Sequence, residues 1–213
     1  MENKILSKVF LWMFAGLLVT FITGYTVSIN ENMLYNIFSG GTYILIVVVE
    51  LLLVIILSAR IAKLKSTTAK ILFLLYSFTT GLTFGSIFVV YELTSIMLIF
   101  LITSLLFGIF ALIGYKTDID LSKFSTYLLM MLVGIIICII INMFLNNSTF
   151  DMFISCISVI VFLGFTAYDI QKVKDLEGQL PEDNLAIIGA LELYLDFINI
   201  FLDLLKLFGR SDD

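Results

Sequence analysis

Leu185–Phe208 reads LAIIGALELYLDFINIFLDLLKLF. At about 1.5 Å of rise per residue it is long enough to cross a bilayer as a helix. Glu192, Asp196, Asn199, Asp203 and Lys206 follow one another at offsets of 4, 7, 11 and 14 from Glu192. At helical periodicity these five form one narrow stripe. The other faces are mostly Leu, Ile, Phe and Ala. A charge at the bilayer midplane costs at least about 2.5 kcal/mol, so a lipid-facing helix would not carry three carboxylates. The segment is therefore expected at the centre of a bundle, with its stripe turned to a polar seam or cavity. A helix lying on the membrane surface would need a wide charged face, which this one lacks.

The rest of the chain supports a membrane setting. Of 213 residues, 61% are hydrophobic, and the mean hydropathy is +1.11, whereas soluble domains are about 45–50% apolar. The length suits one bundle, residues 1–213, with no separate soluble domain. There is no histidine, which excludes His-based proton relays, Ser-His triads and nearly all zinc-enzyme chemistry. Twelve scattered basic residues do not make a nucleic-acid surface. Cys138 and Cys156 lie in apolar runs and read as small hydrophobes without a disulfide.

Seven spans are expected, at about 9–29, 42–59, 71–91, 93–115, 124–145, 152–169 and 185–208. The first follows Lys4 and Lys8 and is read as a retained span, because no small-x-small cleavage site closes it. Residues 30–41 and 170–184 read as polar loops, the second holding the only proline, Pro181. Gly81 and Gly85 form a small-xxx-small pair that permits close helix packing. The fold expected is an all-α seven-helix membrane bundle with the C-terminal helix at its centre.

Charge sets the orientation. Lys4 and Lys8 precede span one. Arg60, Lys63, Lys65 and Lys70 follow span two, Lys116 and Lys123 follow span four, and Lys172 and Lys174 follow span six. The loops after spans one, three and five carry none. The positive-inside rule then makes the N-terminus and the even-numbered loops cytoplasmic. Lys206 and Arg210 mildly oppose an external C-terminus, Asp212 and Asp213 weigh little, and a re-entrant last segment is the alternative to seven full spans.

Depth gives a constellation. Arg60 and Asp169 end spans two and six at one cytoplasmic level. Asp196 lies about 16 Å, and Glu50 about 15 Å, from that side. Asp203 and Lys206, three apart, can pair within their helix. Acids outnumber the cations available to them, and a surplus of buried carboxylates must hold protons, bind a cation or face water. Calcium suits such a set of oxygen ligands. Static ion pairs that join helices are the plainer reading of the same residues.

ALELYLDFINIFLDLLKLFG at the C-terminal end, TAYDIQKV at 166–173 and WMFAGLLVT at 12–20 resemble the transmembrane Bax inhibitor motif family in its bacterial branch, over essentially the whole chain. The resemblance implies a seven-helix bundle with the last helix central, a pH-sensitive calcium leak, and a bacterial inner-membrane location. It places Asp169 and Asp196 on the family's paired aspartates, the proton sensor and tentative calcium ligands. Arg60 falls on the arginine that latches onto the first of them, and Glu50 approximately on an acidic position of the second helix. Lys206 stands where arginine is usual, and the two are not interchangeable in a bidentate pair. Glu192, Asn199, Asp203 and Lys206 complete a supporting polar seam.

Three functional classes follow. The first is a cation leak gated by the carboxylate pair, with calcium and protons as its ions and no cofactor. The second is an intramembrane aspartyl protease, suggested by Tyr168–Asp169 and a second intramembrane Asp. It is opposed because Asp196 sits in YLDF without flanking glycines. The third is a non-catalytic regulator that binds membrane proteases or cell-death and stress proteins. The charge bias generates a direct test. Cysteines placed at Asn36 and Asn147 should label from outside intact cells, and those at Lys65 and Glu177 only from inside. Outside labelling at Lys65 would reverse the orientation.

Overall fold

The computed structural model describes residues 2–211, the side chains of Glu2, Asn3 and Ala62 excepted; Asp212 and Asp213 lie outside the described residues. The helices are α1 (Glu2–Ser28), α2 (Glu31–Phe38), α3 (Thr42–Arg60), α4 (Ser66–Phe84), α5 (Ile87–Val90), α6 (Leu93–Lys116), α7 (Ser125–Leu145), α8 (Ser148–Asp175) and α9 (Glu182–Phe208). Short 3-10 turns at Ile61–Lys63 and Leu121–Phe124 precede α4 and α7. Among the described residues β-pairing is limited to one isolated antiparallel bridge, Tyr91 with Ser211. Seven segments are long and apolar enough to span a membrane: α1, α3, α4 with α5, α6, α7 with its preceding turn, α8 and α9. The chain is an all-α membrane protein.

The structure differs from the sequence reading in three stretches. The expected loop at 30–41 contains α2, which starts where Asn30 Oδ1 accepts from Met33 N at 3.1 Å, with Glu31 in the first turn. Such a cap and an acid at the positive end of the helix are ordinary start signals. The expected loop at 170–184 is much shorter, because α8 runs on to Asp175 and α9 begins at Glu182. Asp169 therefore does not end a helix; it lies inside α8 with six helical residues beyond it. The third span is interrupted after Phe84, at Gly85 and Ser86, before α5. Helix α9 continues unbroken for 27 residues, about 40 Å at helical rise, as a full span requires.

The chain forms two compact units. One comprises α1 to α5 and residues 182–194 of α9; the other comprises α6 to α8 and α9 from Leu195. In the first, α1 and α4 approach through glycines. A Cβ on Gly81 would lie 2.5 Å from Thr23 Cβ, and one on Gly16 2.7 Å from Phe73 Cζ; Gly85 faces Val27 equally closely. Lipid is as apolar as a helix surface, so close van der Waals contact at small residues holds such helices together. The start of α9 is fastened to the same unit. Buried Asn184 accepts from Ser66 Oγ at 2.6 Å and donates to Ile61 O at 2.9 Å and Leu64 O at 2.8 Å. Beside it, Lys8 lies 2.9 Å from Glu182 and Lys70 lies 2.7 Å from Asp183.

In the second unit, α6 meets α8 where Gly114 lies against the backbone of Ala167. Phe197 of α9 takes Phe100 and Phe107 edge-on, with centroids 5.2 and 5.6 Å away. Helix α7 meets α8 through Ile135, Ile154 and Val161. Gln171 ties the loop after α6 to α8: its Oε1 accepts from Leu121 N at 2.7 Å and its Nε2 donates to Ile119 O at 2.9 Å. In that loop the Ser122 hydroxyl, with its backbone N–H, holds the Asp120 carboxyl below the usual carboxylate range.

Two substitutions test this packing by thermal melting in detergent. Gly81→Leu should destabilise by about 1–3 kcal/mol, the usual penalty for overpacking, while Gly134→Leu should be neutral because open space surrounds Gly134. Asn184→Ala should cost about 1–3 kcal/mol by leaving buried carbonyls unsatisfied. An unchanged melting temperature for Gly81→Leu or Asn184→Ala would contradict the packing described.

Candidate functional site

Helix α9 is the most buried of the seven spans: 72% of its core window is buried, against 50% for α8 and 6% for the α7 span. That burial matches the apolar faces around its polar stripe. Along the stripe, Asp196 is buried, Glu192, Asn199 and Asp203 are half-buried, and Lys206 is exposed. The carboxylates therefore do not face lipid freely.

Asp169 and Asp196 both belong to the second unit and are 5% and 4% exposed. Each sits where its helix is most enclosed. Around Asp169, Thr166, Ala167 and Ile170 are buried; around Asp196, Leu193, Tyr194 and Phe197 are. Two aspartates at this level of burial are unusual, because most acids stay at the surface. They offer carboxyl oxygens to a proton or to a hard cation. Among the described residues no group of three or more His, Cys, Asp or Glu side chains is placed to hold a metal ion.

Farther along α9, Lys206 Nζ lies 3.1 Å from Asp151 Oδ1 of α8, and not in the intrahelical pair with Asp203 expected from their spacing. Asp203 instead faces Ser158 and Ser155 of α8. Asp151, Ser155 and Ser158 recur at helical spacing on α8, so the α9 stripe meets a matching stripe. Asn199 Nδ2 donates to Leu195 O at 2.7 Å, a local bond to its own helix.

The remaining expected residues lie in the first unit. Arg60 is exposed in the last turn of α3. Glu50 is half-buried on the same helix and accepts from Thr80 Oγ1 at 2.8 Å and Thr83 Oγ1 at 3.5 Å, both on α4. Its contacts within the unit are thus hydroxyls. In the same unit fully buried Tyr194 has its hydroxyl 2.6 Å from Thr20 Oγ1, with Phe73 and Tyr76 packed edge-on to its ring. The Thr20 proton is directed at Ser77 O, 2.9 Å away, or Gly16 O, 3.1 Å away. The Thr20–Tyr194 bond seats the turn just before Asp196.

Sequence reasoning missed Thr80, Thr83, Tyr194, Asn184 and Asp151. The hydroxyls and Tyr194 carry no hydropathy signal against an apolar background. Asn184 falls in the stretch 170–184 that reads as a polar loop. Asp151 was legible only as an acid near the first turn of span six, and its distance from Lys206 in sequence hid the pairing.

Comparison with known proteins matches this architecture to a family. The family model described as inhibitor of apoptosis-promoting Bax1 matches residues 2–213. An uncharacterised protein of Borreliella burgdorferi is 40% identical over 98% of this chain and 93% of its own length. Inner membrane protein YbhL of Escherichia coli K12 is 41% identical over 96% of this chain and 91% of its own length. A Rickettsia prowazekii protein, also uncharacterised, is 33% identical over 99% and 91%. The chain is thus an integral membrane protein that belongs to the Bax inhibitor family.

Proposed function

We propose that the protein is a pH-sensitive cation leak channel, with calcium as the expected ion. The observation that carries this reading is the burial of Asp169 and Asp196, 5% and 4% exposed, on two membrane-spanning helices of one unit. Static glue would be served as well by neutral amides. Two buried carboxylates instead make a site whose charge depends on bound protons, and carboxylates in reach of one another titrate as a unit. As the site loses protons its charge grows and it becomes a stronger ligand for a hard cation. Calcium is cargo in this scheme, and the small number of acids suits a site that must release the ion as well as bind it. Arg60 is the proposed latch, releasing flux when its hold on Asp169 is lost. Glu192, Asn199, Asp203, Lys206 and Glu50 are the proposed polar lining, and a central position for α9 is proposed from its burial. The reading is non-enzymatic and places the protein in a bacterial inner membrane with its N-terminus in the cytoplasm.

The family description favours a second reading, a membrane regulator that restrains cell-death or stress proteins, and the two can coexist. Flux through the purified protein in liposomes separates them. Calcium flux should vary with pH, Asp196→Asn should remove most of that variation, and Arg60→Ala should raise basal leak. An Asp196→Asn protein that is less stable but keeps the wild-type flux–pH curve would reduce the pair to a structural link.

A further inference from the structure

The second unit carries another cluster of oxygen ligands, at the end where α8 begins and α9 finishes. Asp151 and Lys206 form its rim, with side chains 35% and 44% exposed and 3.1 Å between Nζ and Oδ1. Asp203 is half-buried below them and faces Ser158 and Ser155. Those serines form the floor, 4% and 0% exposed.

Ser155 separates this cluster from an ordinary acidic patch. Buried hydroxyls elsewhere in these helices turn back onto their own backbone: Ser77 donates to Phe73 O, Thr103 to Ile99 O and Thr166 to Phe162 O. That is the normal fate of a helical Ser or Thr. Buried Ser155 Oγ makes no such bond to its own helix and no close hydrogen bond elsewhere; it is turned to the Asp203 carboxylate. A fully desolvated hydroxyl without a bond costs stability, and this one lies on the α8 stripe that faces Asp203.

We infer that Asp151, Asp203, Ser155 and Ser158 form a binding site for a hard divalent cation, with the Lys206 ammonium as its tethered competitor. Two carboxylates and two hydroxyls offer up to six oxygens, the number and type that calcium takes. The charges of Asp151, Asp203 and Lys206 sum to −1, so the lysine neutralises one carboxylate and leaves the other to attract a cation. Lys206 sits on a flexible four-carbon stem and can swing aside from an exposed rim. Arriving cations would then exchange with the ammonium on Asp151 and share Asp203. Any part of this site in transport rests on the cation-leak reading; the binding itself does not.

The test is calcium binding by equilibrium dialysis of the purified full chain in detergent, with folding followed by monodisperse elution and helical circular dichroism. Each titration is run in the Asp196→Asn background as well, which weakens the deep pair, so that failure of the leak reading and failure of this site are told apart. Lys206→Met should tighten calcium binding by about tenfold or more, as expected when a competing charge is removed a few ångströms away. Excess potassium should compete poorly. Adding Asp203→Asn should abolish the gain, and adding Ser155→Ala, which changes no charge, should reduce it. Equal calcium affinity in wild type and folded Lys206→Met would overturn the site, as would a gain that survives Asp203→Asn. If Lys206→Met does not fold, Lys206→Gln replaces it with the same two outcomes.

Discussion

Carboxylates on helices that cross a membrane must be enclosed, because each costs at least about 2.5 kcal/mol at the hydrocarbon midplane. This chain carries Asp169 and Asp196 on two such helices and keeps both buried, and the packing around them is consistent with the need to enclose them. Helix α9 is the most buried span, since it carries the longest polar stripe. Its first half is held in one unit by Asn184, by the Lys8 and Lys70 ion pairs and by Tyr194. Its second half is held in the other by Phe197 and by Lys206. The change of unit falls between Tyr194 and Leu195, immediately before Asp196.

The two units solve the enclosure problem with different chemistry. In the first, polar groups meet hydroxyls and backbone carbonyls, as Glu50 does with Thr80 and Tyr194 with Thr20. Such bonds are short and fixed, and they suit a scaffold whose helices already touch through Gly16, Gly81 and Gly85. The second holds both buried aspartates and the Asp151–Lys206 pair. Among the described residues the two most deeply buried carboxylates therefore lie in α8 and the second half of α9.

Much of this was legible in the sequence, for identifiable reasons. Long apolar runs separated by short polar stretches marked all seven spans, and the stripe on Leu185–Phe208 marked the most buried helix. Gly81 and Gly85 announced a close contact that α1 supplies. What was not legible depended on contacts between distant residues or on helices that continue past the hydrocarbon. The extension of α8 through Gln171, Val173 and Lys174 was hidden because a polar helix outside the membrane has no hydropathy signature; Gln171 there binds the loop after α6 and Lys174 the last turn of α6. Lys206 chose Asp151 over Asp203 because a flexible lysine reaches a neighbouring helix as easily as its own next turn. Helix α2 was hidden by its polar residues, though Asn30 and Glu31 form an ordinary start.

In the proposed leak, protons and cations act on the same buried aspartates. The most direct test is to record, in one liposome preparation across pH, calcium flux and the infrared band of protonated carboxyl groups, in wild type and in Asp196→Asn. The band and the flux should change with one shared midpoint in wild type, and both transitions should vanish in the variant. A wild-type flux transition displaced from the carboxyl transition, or one that persists in Asp196→Asn, would contradict that reading.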